Sequence, residues 1–122
     1  MLRALFGLVL LAHGAIHLAW LAPQPDDPKY PFRWHSRWFP NVSEATLKGP
    51  GAALITFLFL AYLASALGVW GVPVLSRVWG VAAVLGSVVS VFVTAVLWDP
   101  DFIANPIVDA AIIAIVLFGV LR

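Results

Sequence analysis

No cysteine occurs in this sequence, which removes disulfides, thiolate nucleophiles and cysteine-ligated clusters from consideration. Charge is scarce too. Charged residues make up 11% of the chain, seven basic against six acidic, where a soluble domain carries about a quarter. The basic residues are spread thinly and form no patch with interleaved aromatics, so no nucleic-acid partner is expected. There is no nucleophile–base arrangement, no phosphate loop and no histidine set sufficient for a di-iron centre, so the enzyme reading is weak.

What the chain has in excess is apolar surface: 62% of its 122 residues are hydrophobic, and the mean hydropathy is +0.98. A soluble fold of this size leaves too much of its surface exposed to hide that amount. The expected solvent is lipid, and the expected fold is an all-α, integral membrane four-helix bundle forming one domain.

Apolar runs of about 20 residues cross a hydrocarbon core roughly 30 Å thick. The pattern predicts spans over about 4–22, 51–70, 76–97 and 101–121, with a 27-residue surface loop at 23–49. The breaker Lys48-Gly49-Pro50-Gly51 precedes the second span, and a Gly71-Val72-Pro73 turn separates it from the third. Two histidines interrupt the first run and its end lacks an Ala-x-Ala pattern, so it reads as a retained helix and not a cleaved signal. Asp99-Pro100 reads as a cap with proline at the first helical position, and Asn105-Pro106 implies either a late start or a kink. Asn41-x-x-Glu44 reads as a cap for a short turn ahead of the second span.

The tryptophans Trp20, Trp70, Trp79 and Trp98 fall at span ends, and Trp34 and Trp38 in the long loop. Indole rings favour the headgroup level, so all six are expected as interface anchors. Arg3, Arg77 and Arg122 lie on one side; the loop's four Lys or Arg lie on the other, among acids. That near balance leans to both termini cytoplasmic.

Ionisable residues within a span are costly and usually face the bundle interior with a partner. The spans contain His13, His17 and Asp109. At about 1.5 Å per residue, His17 and Asn105 lie roughly 7 Å below the loop-side surface, and His13 and Asp109 roughly 13 Å. Ser87, Ser90 and Thr94 recur at helical spacing, and Thr56 falls at a comparable depth. Gly7 and Gly14 share the histidine face of the first helix, where small residues permit close helix approach. A polar seam is therefore expected, with His13 paired to Asp109.

Three meanings of that seam follow. In the first, its members satisfy one another and fix helix register, and the chain is an accessory or structural membrane subunit. It is then self-associated or bound to a membrane-protein partner. In the second, His13, His17 and Asp109 bind haem, a quinone, a metal or a lipid. A tetrahedral metal site wants three or four ligands, however, and two histidines one turn apart cannot sit on opposite faces of one iron. In the third, the seam carries a proton or solute. His35 in the loop reads as a solvated residue.

At His13-Gly14-Ala15-Ile16-His17-Leu18 the sequence resembles a widespread group of small bacterial four-span membrane proteins with an HGxIHL-type first helix. The resemblance continues at Tyr30-Pro31-Phe32, Ser36-Arg37-Trp38, Trp98-Asp99-Pro100 and Asp109. It implies a bacterial cell membrane and the four-span layout, and it carries over no catalytic residue.

Overall fold

The structure, a computed structural model, describes residues 1–121. Arg122, counted in the orientation argument above, lies outside the described residues. The chain is all-helical: α1 (Leu2–Ile16), α2 (Glu44–Val69), α3 (Trp79–Val96) and α4 (Ala104–Leu117). A 3₁₀ turn, His17–Trp20, extends α1, and another, Pro100–Phe102, leads into α4. With those extensions, all four helices are long and apolar enough to cross a membrane. Helices adjacent in sequence pack side by side, while α1 meets α4 through His13 and Asp109 at 2.8 Å, and Arg3 reaches the Leu121 carbonyl beyond α4 at 2.8 Å.

Helix ends follow local chemistry. Ser43 caps α2, its Oγ accepting from the Thr46 N–H. The N-cap is therefore Ser43 and not Asn41, and the loop shrinks from the expected 23–49 to residues 21–43. Lys48-Gly49-Pro50-Gly51 does not break the helix but lies inside it. Pro50, about two turns from the helix start, removes only the bond to the Thr46 carbonyl. Gly51 provides the space into which the Trp34 ring packs.

At the other end of α2, Gly71 adopts φ +98°, with Val72 N–H donating to Leu67 O and Gly71 N–H to Gly68 O. This pairing satisfies the last carbonyls of α2. The turn then continues through the 3₁₀ segment Leu75–Arg77, so α3 starts at Trp79 rather than at 76. Asp99 accepts from the Asp101 N–H at 3.0 Å, capping the 3₁₀ turn. Asn105 and Pro106 fall in the first turn of α4, so the fourth helix starts late. It also stops at Leu117, because Gly119 takes φ +63° and ends it as Gly71 ends α2.

Two of the six expected tryptophan anchors are placed differently. Trp20 is fully buried and Trp34 is 4% exposed. The loop folds back over the end of the bundle, so Phe32 and Phe102 each pack 4.9 Å from the Trp20 ring. The Trp20 N–H donates to the Arg33 carbonyl, which takes the part a lipid headgroup would play. Trp38 and Trp70 are exposed, and Trp79 and Trp98 are half-buried at the bundle ends.

Candidate functional site

The chemistry-bearing side chains gather in the middle of the bundle, where four helices contribute to one buried cluster. His13 comes from α1 and His17 from the turn after it, Tyr62 from α2, Ser87 and Ser90 from α3, and Asp109 from α4. Spacing explains the convergence: Ser87 and Ser90, like His13 and His17, are one turn apart and share a helix face. Gly14 completes the α1 face by letting α2 approach, since a Cβ there would lie 2.8 Å from the Tyr62 Cβ.

Asp109 is the hub. His13 Nε2 lies 2.8 Å from its Oδ1, and the Tyr62 hydroxyl donates to the same oxygen at 2.5 Å. The Ser90 hydroxyl reaches Oδ2 at 2.7 Å. From there the network runs on, with Ser90 Oγ 2.9 Å from His17 Nε2 and His17 Nδ1 2.9 Å from the His13 carbonyl. Tyr62 also meets Ser87 Oγ at 2.9 Å. Asp109, His17, Tyr62, Ser87 and Ser90 are fully buried, and His13 is nearly so.

Counting hydrogens constrains this network. A carbonyl only accepts, so His17 Nδ1 must carry a hydrogen. Ser90 has one hydrogen but two partners, so either His17 Nε2 or Asp109 Oδ2 must donate to it. Both distributions satisfy every bond, and both leave the cluster with zero net charge: imidazolium with carboxylate, or neutral imidazole with carboxylic acid. With a neutral His13, the two bonds to Ser90 thus place one proton on either His17 or Asp109. Zero net charge is also the least costly arrangement in hydrocarbon, where an uncompensated charge is expensive.

Several residues expected in the seam do not join it. Thr56 is exposed on the outer face of α2, its hydroxyl returned to the Ala52 carbonyl at 2.8 Å. That local bond satisfies the hydroxyl within its own helix, so Thr56 can face lipid. Asn105 is buried but does not pair with His17, whose ring nitrogens are taken by Ser90 and the His13 carbonyl. Thr94 is buried on the Ser87–Ser90 face, yet its hydroxyl has no partner among the described residues. Hydrogen bonding in the seam therefore ends at Ser90.

Sequence reasoning missed Tyr62. It is one of two tyrosines in the chain and the one within a span, where a phenol far from water needs an internal partner. Tyr62→Phe is expected to destabilise the bundle by about 1 kcal/mol, the scale of a buried hydrogen bond in a membrane protein. Detergent unfolding titrations would measure it; a change indistinguishable from zero would mean the phenol adds nothing.

No three His, Asp or Glu side chains converge as metal ligands among the described residues. His13 Nε2 and both His17 nitrogens are engaged within the protein. An iron or zinc ion at any of these three nitrogens would have to displace Asp109, Ser90 or the backbone, whereas His13 Nδ1 is bonded to none of them. No protein-family model, curated protein or solved structure matches the chain.

Proposed function

We propose that this chain is a non-enzymatic structural or accessory subunit of a membrane assembly, either a homo-oligomer or a complex with a larger membrane protein. The carrying observation is the completeness of the buried cluster. Its six hydrogen bonds close on one another, as expected of groups that fix helix register. The faces left open are apolar. The span containing α4 has the smallest buried share of the four, and it exposes Ala104, Ile107, Ala110 and Ala111. Small residues there suit the close approach of a partner helix.

Native mass spectrometry of the protein released gently from its own membrane tests this reading. The expected result is an assembly of more than one protein chain without a defined non-lipid ligand, and Ala111→Trp is expected to release monomers. A monomer carrying one haem, quinone or metal ion that disappears in His13→Gln would replace this reading with a ligand site. Proton flux into liposomes, lost in Asp109→Asn, would replace it with a proton path.

The same proposal places the chain in a bacterial cell membrane, following the resemblance of its first helix, with both termini cytoplasmic. Because the chain has no cysteine, single substitutions report topology cleanly. Asp27→Cys and Ser76→Cys both fall at exposed positions. In intact cells an impermeant maleimide is expected to label the first and not the second. The reverse pattern would invert the orientation.

A further inference from the structure

The long loop and the ends of α2 and α3 form a second polar feature, separate from the buried cluster. A cleft of about 360 Å³ at the loop end of the bundle is lined by Arg33, Arg37, Glu44, Trp98 and Asp99. Loop alternation contributes to it: Trp34 and Ser36 turn inward while His35 and Arg37 stay exposed. The Trp38 N–H donates to the Ala95 carbonyl at 2.8 Å, fastening this stretch to the last turn of α3. Two guanidinium groups and two carboxylates line the cleft beside the His35 imidazole, a balance of fixed charges that suits a zwitterion better than a simple anion.

Directly beside it, an almost wholly apolar groove of about 330 Å³ runs between α2 and α3. Leu47, Pro50 and Leu54 form one wall and Phe92, Val93 and Val96 the other. Leu97 lines both groove and cleft, so a charged chamber and an apolar channel adjoin at that residue. Two polar groups here lack their usual partners. Arg33 Nε is buried with no acceptor, although the other end of its guanidinium donates to the Asp27 carbonyl. Thr46, on the groove wall, has lost the helical donor that residue 50 would supply, because Pro50 has no N–H.

We propose that the adjoining cleft and groove together hold one glycerophospholipid with an amine-bearing, zwitterionic head group. Arg33 and Arg37 hold the phosphate by charge-assisted hydrogen bonds, and Glu44 and Asp99 receive the ammonium. One acyl chain lies in the groove between α2 and α3. This differs from the general lipid coat of a membrane protein because it requires the head group and one chain together. It is also independent of which assembly the chain enters.

The test is titration of delipidated protein in mild detergent, read by native mass spectrometry as the one-to-one adduct. Four probes with matched parts are compared: palmitoyl-oleoyl phosphatidylethanolamine, the phosphatidylglycerol and the diacylglycerol with the same chains, and chain-free glycerophosphoethanolamine. Phosphatidylethanolamine is expected to bind about tenfold more tightly than each of the other three, the scale of one charge-assisted hydrogen bond or more. Arg37→Ala, at an exposed position, should remove about the same factor without affecting folding. Phe92→Trp, also exposed, should weaken phosphatidylethanolamine by narrowing the groove. Equal binding of diacylglycerol or phosphatidylglycerol would overturn the proposal, as would equal binding of the chain-free head group. Unchanged binding in both variants would overturn it as well.

Discussion

Replacing Asp109 by asparagine is expected to leave bundle stability within about 1 kcal/mol of the native chain, whereas alanine lowers it by about 2–4 kcal/mol. The contrast follows from the hydrogen count. An asparagine amide has one acceptor oxygen and a donor N–H, matching the acceptor C=O and donor O–H of a carboxylic acid in the role of Asp109. Its oxygen can accept from His13 and Tyr62, and its nitrogen can donate to Ser90, which then donates to a neutral His17. Every bond in the cluster survives with the net charge unchanged. Alanine instead strands the His13 N–H and removes the acceptor that ties three helices together, leaving Tyr62 only Ser87 and Ser90 only His17. Paired unfolding titrations in mixed detergent would check this. An asparagine variant as unstable as the alanine variant would show that the cluster needs a carboxylate, and the hydrogen count would fail.

The asparagine variant also separates the readings of the cluster. It retains the hydrogen bonds but removes the titratable group from the hub. A structural subunit tolerates that exchange, and its assembly should remain intact. A proton path does not. If Asp109→Asn folds normally yet loses a measurable flux, the cluster conducts and the structural reading ends there.

Gly14→Ala is the second change expected to have a large effect, about 2 kcal/mol of destabilisation. The added methyl group would meet the Tyr62 Cβ at 2.8 Å and Cδ2 at 3.2 Å. A Cβ moves only with its backbone, so α1 and α2 must separate. Carbon atoms rest about 3.5–4.0 Å apart, so the required movement is on the order of 1 Å. That shift also draws the Tyr62 hydroxyl away from Asp109. Gly7, two turns earlier on α1, is the control. A Cβ there would meet the Trp70 ring, which is 42% exposed and can swing towards the membrane surface. Gly7→Ala is expected to cost about 1 kcal/mol, the scale of the Trp70 N–H bond to the Ala4 carbonyl that a displaced ring gives up. If the two substitutions proved equally mild, close packing at Gly14 would not be what holds α2 against the cluster.

Much of the architecture was legible because hydrocarbon thickness and backbone hydrogen bonding leave few choices. An apolar run of about 20 residues bounded by turns has one stable form in lipid, a spanning helix. The placement of His13 and Asp109 at one level was legible for a related reason: helical rise converts sequence distance from a span end into depth. Depth is not direction, however. Thr56 has a depth comparable to the seam but faces outward, because α2 is apolar on every side and no pattern in the sequence fixes its rotation. Tyr62 faces inward on the same helix, at a position the sequence left unmarked.

The aromatic residues illustrate the same limit. Their clustering near span ends correctly located the ends of the bundle, but not which rings met lipid. Trp20 and Trp34 are covered because residues 21–43 fold back over the helices, a path set by contacts with Phe32, Phe102 and Gly51. Pro50 and Gly51, breakers by composition, sit inside α2 because Ser43 starts that helix two turns earlier.

By itself, then, the sequence determined the solvent, the number of spans, the turns at Gly71 and Asp99, and the depth of the buried histidine and carboxylate. These depend on local chemistry and on lengths measured along the chain. The tertiary structure alone decided helix rotation, the entry of Tyr62 into the cluster, the exclusion of Thr56, and the link from His17 to Asp109 through Ser90. Those outcomes depend on which faces of four helices meet, and in a chain apolar nearly all round, only packing and the pairing of buried polar groups break that symmetry.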